Sequence, residues 1–356
     1  MHAPLALILS GARRSRTLRL LLALALGLAA TIGAARAEDA AGFYAGKTIQ
    51  LLIGYSPGGG YDANARILAR HMGEHIPGHP TVVPQNMPGA GSLRVVNFLY
   101  NIAPKDGTVF ATFGRGLAMQ PLLEPGTTDF DATKLTWIGS ITNEVSVCAF
   151  RREAGIHTFA DMRAKSFTVG GTGSGSDTDI FPIMLRNLFH LRLKLVTGYP
   201  GGNDVVLALA RGEVDGRCGW SWSSLQKESK AMLGAKALDV PLQISLTKHP
   251  DLPNVPLVTD LTTDKSELAA IRLIVSRQTM ARPFAAPPGL PPERAAALRA
   301  AFDATMRDPA FVAEIERNDF EVRPVSGAEV EALVREVYAS PPEVVARARD
   351  AVKDQP

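Results

Sequence analysis

The chain of 356 residues carries 38 Lys and Arg against 35 Asp and Glu, a formal net charge of +3. Five of the arginines and none of the acidic residues lie in residues 1–37, so the remainder is slightly acidic, with 33 basic and 35 acidic residues. This balance argues against a nucleic-acid-binding surface, which needs an excess of positive charge. The roughly 320 residues beyond that segment exceed one typical hydrophobic core, so two domains are expected.

Residues 1–37 have the pattern of a secretory signal peptide. Four arginines between positions 13 and 19 precede an apolar segment, 20–32, that is short for a membrane span. Small residues then supply a cleavage site near Ala37. We therefore expect an exported protein with no stable membrane insertion; a membrane anchor is the alternative interpretation.

The most informative local pattern is an apolar run followed by a glycine-rich turn. Residues 48–55 are nearly all apolar, which indicates a strand buried on both faces, as in a parallel sheet. The turn at 56–62, Ser-Pro-Gly-Gly-Gly-Tyr-Asp, precedes a helical pattern that extends to about His75, with Asp62 as the predicted N-cap. Such a turn places free backbone N–H groups at the positive end of a helix dipole, which suits an anion.

Strand-like and helical patterns alternate along the rest of the chain, which predicts an α/β fold with a largely parallel sheet. After the proline-rich segment 287–292, four helices are predicted before the last residue. The further predicted strands are 109–113, 146–150, 167–170, 191–195 and 214–218, and the further predicted helices are 205–211, 293–306, one from 309, 328–338 and one from 342.

Four turns resemble one another in composition. Turns 56–62, 86–92, 172–179 and 199–204 all combine glycine with hydroxyl, amide or carboxylate side chains. In open α/β sheets ligands bind beyond the carboxyl ends of the strands, where these turns fall. We therefore predict a shared anion-binding cleft made of neutral N–H and O–H donors, rather than arginine clamps or metal ions, and no cofactor.

Charged side chains near these turns have simpler expected roles. Asp177 and Asp204, like Asp62, are expected to cap the helices that follow, since a carboxylate accepts backbone N–H bonds there. Arg115 either adds a cation to the cleft or is a surface charge.

Aromatic side chains offer walls for the cleft. Tyr55, Tyr61 and Tyr199 lie in or beside the turns. Trp220 and Trp222 are two residues apart, so on a strand they share one face. Each of these side chains either lines the ligand site or packs in a core.

Two cysteines, Cys148 and Cys218, are present. In an oxidising compartment they pair as a disulfide. The alternative is two buried free thiols, and the sequence leaves both open.

One enzyme-like motif stands out. His71-Met72-Gly73-Glu74-His75 fits the H-x-x-E-H pattern of some zinc peptidases. However, Gly73 weakens the helix, and a solvated helix end that carries cationic histidines explains the cluster equally well. We expect no enzyme and no metal; an exported metal-dependent hydrolase that uses His71, Glu74 and His75 is the alternative.

Several motifs, in this order and with this spacing, resemble one family, the periplasmic solute receptors of the tripartite tricarboxylate transporter system, also called the Bordetella uptake gene (Bug) family. The resemblance covers about residues 47–340. The matching segments are 55–62, Tyr-Ser-Pro-Gly-Gly-Gly-Tyr-Asp; 85–92, Gln-Asn-Met-Pro-Gly-Ala-Gly-Ser; 103–108, Ala-Pro-Lys-Asp-Gly-Thr; 212–215, Gly-Glu-Val-Asp; and 252–256, Leu-Pro-Asn-Val-Pro.

The chain departs from the family pattern at several points. Gln85 and Met87 replace a charged pair, and Ser92 replaces a glycine. Asp179 stands where a histidine is common, and residues 197–202 replace the usual Val-Pro-Tyr-x-Gly. These changes leave the receptor interpretation intact and leave the ligand open.

The resemblance implies a two-lobed periplasmic-binding-protein fold of the clamp-like type II, joined by two crossover strands. By position, lobe 1 would comprise residues 38–147 plus 271–356 and lobe 2 residues 148–270, with 271–275 as the returning crossover strand. Family members hold a ligand carboxylate mostly through backbone amides of the first two turns, and the turns of the other lobe close on its distal end.

Mapped onto this chain, the resemblance implies an exported, periplasmic receptor, expected to be a monomer, that delivers a small organic carboxylate to the membrane subunits of a transporter. A receptor that reports its ligand to a sensor kinase is an alternative. The predicted ligand-binding residues are Tyr55, Ser56, Gly59, Gly60, Asp62, Asn86, Gly91, Ser92, Arg115, Thr172, Ser174, Ser176, Tyr199, Gly201, Asn203 and Trp220.

Overall fold

A computed structural model describes residues 40–354, apart from residues 231, 233 and 234. The predicted signal segment therefore lies outside the described residues. Among the helices that are described, none combines the length and the hydrophobicity that a membrane span requires.

The strands form two separate sheets. The first contains β1 (Thr48–Ile53), β2 (Thr81–Asn86), β3 (Val109–Thr112) and β4 (Thr136–Ser140). The second contains β5 (Ser146–Arg151), β6 (Ser166–Gly170), β7 (Arg192–Val196), β8 (Gly216–Ser221) and β9 (Leu238–Ile244). Two later strands, β10 (Pro283–Ala286) and β11 (Val325–Ser326), return to the first sheet.

The two sheets share one design. The order in the first sheet is β11-β4-β10-β3-β1-β2, and the order in the second is β7-β6-β8-β5-β9. In each sheet three neighbouring strands run parallel, β2-β1-β3 and β7-β6-β8, and the next strand, β10 or β5, is antiparallel to them. The carboxyl ends of parallel strands therefore fall at one edge of each sheet, where a ligand site is expected.

Helices connect and cover the strands. Each glycine-rich turn connects the carboxyl end of a strand to the next helix, so the N-termini of these helices lie at the carboxyl edges of the sheets. The helices are α1 (Ala40–Tyr44), α2 (Gly60–His75), α3 (Leu93–Asn101), α4 (Gln120–Leu123), α5 (Phe159–Ala164), α6 (Asp177–Phe189), α7 (Gly202–Arg211), α8 (Trp222–Glu228), α9 (Lys265–Val275), α10 (Pro292–Thr305), α11 (Pro309–Arg317), α12 (Gly327–Tyr338) and α13 (Pro342–Val352), with 3₁₀ turns at Ala90–Ser92, Arg115–Ala118, Ala132–Lys134, Arg152–Ala154, Val258–Asp260 and Ser276–Met280.

The expected crossover strand at 271–275 is wrong, because these residues form the end of α9. The side chain of Asp264 caps this helix by accepting the backbone N–H of Glu267, and the buried Ala270, Ile271 and Ile274 lie at helical spacing. The chain instead returns to the first sheet through the 3₁₀ turn Ser276–Met280.

The predicted capping aspartates are also displaced. The N-cap residues of α2, α6 and α7 are Gly59, Ser176 and Gly201. Asp62, Asp177 and Asp204 lie inside the first turns of these helices, where a carboxylate still meets the positive end of the dipole.

We retain the predicted lobe boundaries as a proposal. The segments 141–145 and 276–282 connect the sheets. Helix α13 packs against α6 and α9, and Asn187 Nδ2 of α6 donates to the carbonyl oxygen of Ala351 at 3.0 Å. Helix α13 also contacts α4, which lies between β3 and β4 of the first sheet, so the last helix bridges structure around both sheets.

The structure joins Cys148 and Cys218 in a disulfide. The two residues belong to the neighbouring strands β5 and β8, and both are fully buried. The bond therefore fastens two antiparallel strands at the centre of the second sheet.

Replacing both cysteines by alanine is expected to lower the free energy of unfolding by about 2–4 kcal/mol, since the bond restrains the unfolded chain. The measurement is guanidinium unfolding followed by circular dichroism, with and without a reductant. The reductant should destabilise the wild type and leave the double variant unchanged. Two free thiols per chain in the denatured, unreduced wild type would contradict the bond.

Candidate functional site

A cleft lies where the turns of the two sheets meet, and its cavity volume is about 50 Å³. The first sheet contributes the start of α2, the turn after β3 and the segment before β10. The second contributes the start of α6, strand β8 and helix α8. The lining residues are Tyr55, Gly59, Gly60, Tyr61, Gly114, Arg115, Thr172, Ser176, Asp177, Thr178, Gly202, Arg217, Gly219, Ser221, Ser224, Glu228 and Arg282.

Arg115 and Asp177 form the central ion pair of the cleft. Arg115 Nε donates to Asp177 Oδ2 at 2.6 Å, and both side chains are buried. Burial is the largest single influence and lowers the pKa of the Arg115 guanidinium, but Asp177, Tyr61 and Glu144 together hold that pKa above its ordinary value. Arg115 Nη2 also donates to the hydroxyls of Ser146 and Ser221. The pair joins the turn after β3 to the first residue of α6.

A second buried pair lies at the other side. Arg217 Nη1 donates to Glu228 Oε2 at 3.2 Å, and Trp220 Nε1 donates to the same oxygen at 3.0 Å. The other oxygen, Oε1, accepts the backbone N–H of Gly60 at 2.9 Å. Burial lowers the pKa of Arg217 below its ordinary value, although the Glu228 carboxylate opposes that shift. A carboxylate of the second sheet's helix α8 thus reaches the N-terminus of α2.

Arg282 is the third cation that lines the cleft. Its Nη1 donates to Ser221 Oγ at 3.2 Å and its Nη2 to Ser224 Oγ at 2.8 Å. The nearest carboxylate that pairs with it, Glu144, is 3.9 Å from Nη2, and within the described residues Nε has no hydrogen-bond acceptor. Its guanidinium lies 4.7 Å from the ring centroid of Tyr61, within cation–π range.

Arg277 lies behind the arginines that line the cleft and is also buried. Its Nη1 is 3.7 Å from Asp177 Oδ1, and its Nε donates to the carbonyl oxygen of Ile274 at 2.8 Å. Burial lowers the pKa of Arg277, and the Asp177 carboxylate opposes that shift. Arg277 and Arg282 both come from the segment 276–282 that connects the sheets.

Six of the predicted ligand-binding residues line the cleft, and ten do not. The lining residues among them are Tyr55, Gly59, Gly60, Arg115, Thr172 and Ser176; those elsewhere are Ser56, Asp62, Asn86, Gly91, Ser92, Ser174, Tyr199, Gly201, Asn203 and Trp220.

Several of the residues outside the cleft hold the two sheets' turns together. Ser56 Oγ donates to Asp204 Oδ2 at 2.6 Å and contacts Asn203 Oδ1 at 3.1 Å. The backbone N–H of Gly91 donates to the carbonyl oxygen of Thr172 at 2.9 Å. Added Cβ atoms would collide here: one at Gly201 would lie 2.2 Å from Ser56 Oγ. These turns therefore meet each other directly.

Most of the other predicted residues bond within their own predicted lobe, and Ser174 bonds across to the other. Asn86 Nδ2 donates to Asp62 Oδ1, and Asp62 Oδ2 accepts the backbone N–H of Gly58 at 2.9 Å. Ser92 Oγ donates to the carbonyl oxygen of Gly54. Trp220 is fully buried. Ser174 accepts from Gln120 and donates to Glu124, and half-buried Tyr199 donates its backbone N–H to Gly171.

Two expectations about the cleft are wrong. We predicted a cleft of neutral N–H and O–H donors rather than arginine clamps, but three arginines and two carboxylates line it. Trp220 and Trp222 do not share a strand face, because β8 ends at Ser221 and Trp222 begins α8.

Three charged residues that line the cleft, Arg217, Glu228 and Arg282, are not among the residues predicted from the sequence. Arg217 stands in a strand whose six residues are all buried, and a charged side chain in such a strand needs a partner. That was the available signal. Nothing in the local pattern around Glu228 or Arg282 distinguishes them from surface charges.

The histidine motif lies outside the cleft. His71 Nε2 is 2.7 Å from Glu314 Oε2, and His75 Nε2 is 3.1 Å from Asp308 Oδ2. Hydrogen bonds lower the pKa of Glu314 below its ordinary value; the one from Arg70 has the larger effect and the one from His71 the smaller. Across the described parts of the chain, no group of three or more His, Cys, Asp or Glu side chains is arranged to hold a metal ion. The pairs instead link α2 to the start and middle of α11.

No protein-family model matches the chain. A curated relative, the UPF0065 protein in the tcbD-tcbE intergenic region of Pseudomonas sp. (strain P51), is 27% identical over 241 residues, which cover 66% of this chain and 69% of the relative. The periplasmic binding protein BugD superimposes with a TM-score of 0.68 at 19% identity, covering 88% of this chain and 100% of that chain.

MatC from Rhodopseudomonas palustris, solved with bound malate, superimposes with a TM-score of 0.69 at 18% identity and covers 86% of this chain and 99% of that chain. The structural neighbours are thus periplasmic binding proteins of the Bug and tripartite tricarboxylate transporter type, as the sequence motifs predicted. The predicted α/β fold is likewise confirmed.

Close approach of α2 and α8 depends on the lack of a side chain at one glycine. A Cβ at Gly60 would lie 2.0 Å from Ser224 Oγ, whereas a Cβ at Gly59 would have its nearest neighbour, Asn203 Oδ1, at 3.6 Å. Gly60→Ala is therefore expected to break the Arg282–Ser224 bond and open the cleft, although alanine favours the helix itself.

Small-angle X-ray scattering of the purified protein measures this opening. The radius of gyration of Gly60→Ala should exceed that of the wild type, and Gly59→Ala, the matched control, should leave it unchanged. Equal radii for wild type and Gly60→Ala, or an equal increase in both variants, would show that this contact does not control closure.

Proposed function

We propose that this chain, whose structural neighbours are periplasmic binding proteins, is a periplasmic solute receptor that binds a small organic carboxylate in the cleft between its lobes. It delivers that ligand to the membrane subunits of a tripartite tricarboxylate-type transporter. No catalytic step is part of the proposal. MatC, with its bound malate, supports a carboxylate as the ligand class.

The charge of the cleft carries the proposal. Arg115, Arg217 and Arg282 line it against only two carboxylates, Asp177 and Glu228. Arg115 and Arg217 each have a carboxylate within hydrogen-bond distance, and Arg282 does not. A buried cation without a carboxylate at hydrogen-bond distance is unfavourable. An anion bound beside Arg282 would therefore be stabilised by its charge.

Hydroxyl groups complete that place. Ser221 Oγ accepts from Arg115 and Arg282, and Ser224 Oγ accepts from Arg282. Because each oxygen already accepts from a guanidinium, its own O–H is available to donate to a ligand oxygen. An arginine flanked by two hydroxyl donors is suited to a carboxylate, whose two oxygens accept only.

The ligand would couple to closure. Arg282 precedes β10 of the first sheet, whereas Ser221 and Ser224 belong to β8 and α8 of the second. A carboxylate held by all three contacts both sides of the cleft, and such a ligand favours the closed state over the open one.

Arg282→Gln is expected to weaken carboxylate binding at least tenfold, since one charge-assisted hydrogen bond is worth about 1.5–3 kcal/mol. Isothermal titration calorimetry with a panel of small carboxylates is the measurement. Arg335→Gln, on the exposed face of α12, is the matched control and should bind like the wild type. A wild type that binds none of the panel, or binds only neutral sugars, would refute the function.

A further inference from the structure

Glu228 occupies a position in the cleft that would otherwise suit a ligand carboxylate. One of its oxygens accepts the Gly60 N–H at the N-terminus of α2, and the other accepts from Arg217 and Trp220. Only 6% of its side chain is exposed. A helix N-terminus, a guanidinium and an indole N–H are donors that favour an anion. The chain itself supplies an anion at this end of the cleft.

The remaining charge balance leaves room for one more negative charge. Among the lining side chains, three guanidiniums stand against Asp177 and Glu228. Behind them, buried Arg277 and Glu144 add one charge of each sign. One positive charge is therefore in excess over these four arginines, and Arg282, 3.9 Å from Glu144, is the lining arginine without a carboxylate at hydrogen-bond distance. A single carboxylate neutralises it.

Among the described side chains that line the cleft, a second carboxylate on the ligand would meet no cation without a partner. Arg115 is already paired with Asp177, and Arg217 with Glu228. The extra charge would be buried beside two fixed carboxylates, where both desolvation and like-charge repulsion oppose it.

We propose that Glu228 acts as a built-in carboxylate that restricts the cleft to monocarboxylates and excludes dicarboxylates. The proposal rests on the carboxylate-receptor function and adds a ligand class and the residue that sets it. It separates this chain from MatC, whose bound malate is a dicarboxylate.

The test compares ligands that differ only in the second carboxylate, butanoate against succinate and 3-hydroxybutanoate against malate, by calorimetric titration of the mature protein. The wild type should bind each monocarboxylate at least tenfold more tightly than its dicarboxylate counterpart. Glu228→Gln keeps an oxygen that accepts from Gly60 but removes the charge, so it should shift this ratio at least tenfold towards the dicarboxylate.

A double variant distinguishes charge from shape. Arg217→Gln combined with Glu228→Gln restores an excess of one positive charge, so it should restore the preference for monocarboxylates. Glu124→Gln is the matched control, because Glu124 accepts from Ser174 across the lobes but does not line the cleft. It should leave the ratio unchanged. Circular dichroism and thermal melting establish that each variant is folded.

The outcomes separate the two proposals. Binding of neither member of any pair would refute the carboxylate-receptor function. Wild-type binding of succinate or malate as tightly as the paired monocarboxylate would refute the role of Glu228 and leave the receptor function standing. The role of Glu228 would also be refuted if Glu228→Gln folds and has the same ratio of monocarboxylate to dicarboxylate affinity as the wild type. If Glu228→Gln does not fold, the wild-type ratio and the double variant still decide the question.

Discussion

The structure depends on the pairing of charges that are buried between two sheets. In the described part of the chain, Arg115, Arg217, Arg277 and Arg282 lie at or just behind the cleft together with Asp177, Glu228 and Glu144, and each is almost excluded from water. Removing a charge from water is costly, and only a close partner or hydrogen bonds offset that cost. The Arg115–Asp177 pair crosses from one sheet to the other, so the lobes cannot separate without exposing both groups. Closure and charge pairing are therefore one event.

The glycine-rich turns contribute less to ligand chemistry and more to closure than their sequence suggests. A Cβ at Gly173 would lie 2.5 Å from the backbone nitrogen of Gly91, and a Cβ at Gly91 would lie 2.7 Å from the carbonyl oxygen of Gly173. Both residues also have positive φ, which glycine adopts without strain. The turns lack side chains because backbone from the two lobes must approach this closely. Amide groups of these turns consequently bond to the opposite lobe.

The sequence was sufficient for the fold and for the location of the cleft, and insufficient for its charges. Apolar runs and glycine turns are local patterns, so the strand-to-helix turns at the carboxyl edges followed from them. The partners of Arg282 are Ser221 and Ser224, about 60 positions earlier in the chain, and no local pattern encodes such a pairing. The helix at 271–275 was missed for a related reason: five apolar-rich residues fit a strand and a buried helix equally well, and the deciding cap at Asp264 lies outside the window.

The position of Arg277, Gln278 and Arg282 in the chain couples the cleft to movement of the lobes. All three lie in the segment that connects the sheets, and Gln278 Nε2 donates to Asp177 Oδ2 at 2.9 Å. Any rotation of one lobe against the other must change the backbone of this segment. A ligand that binds Arg282 would therefore hold the connection itself as well as the two opposing walls. In this arrangement the arginine proposed to bind the anion and the segment that must move on opening are parts of one short stretch of chain, so binding and closure could not be altered independently there.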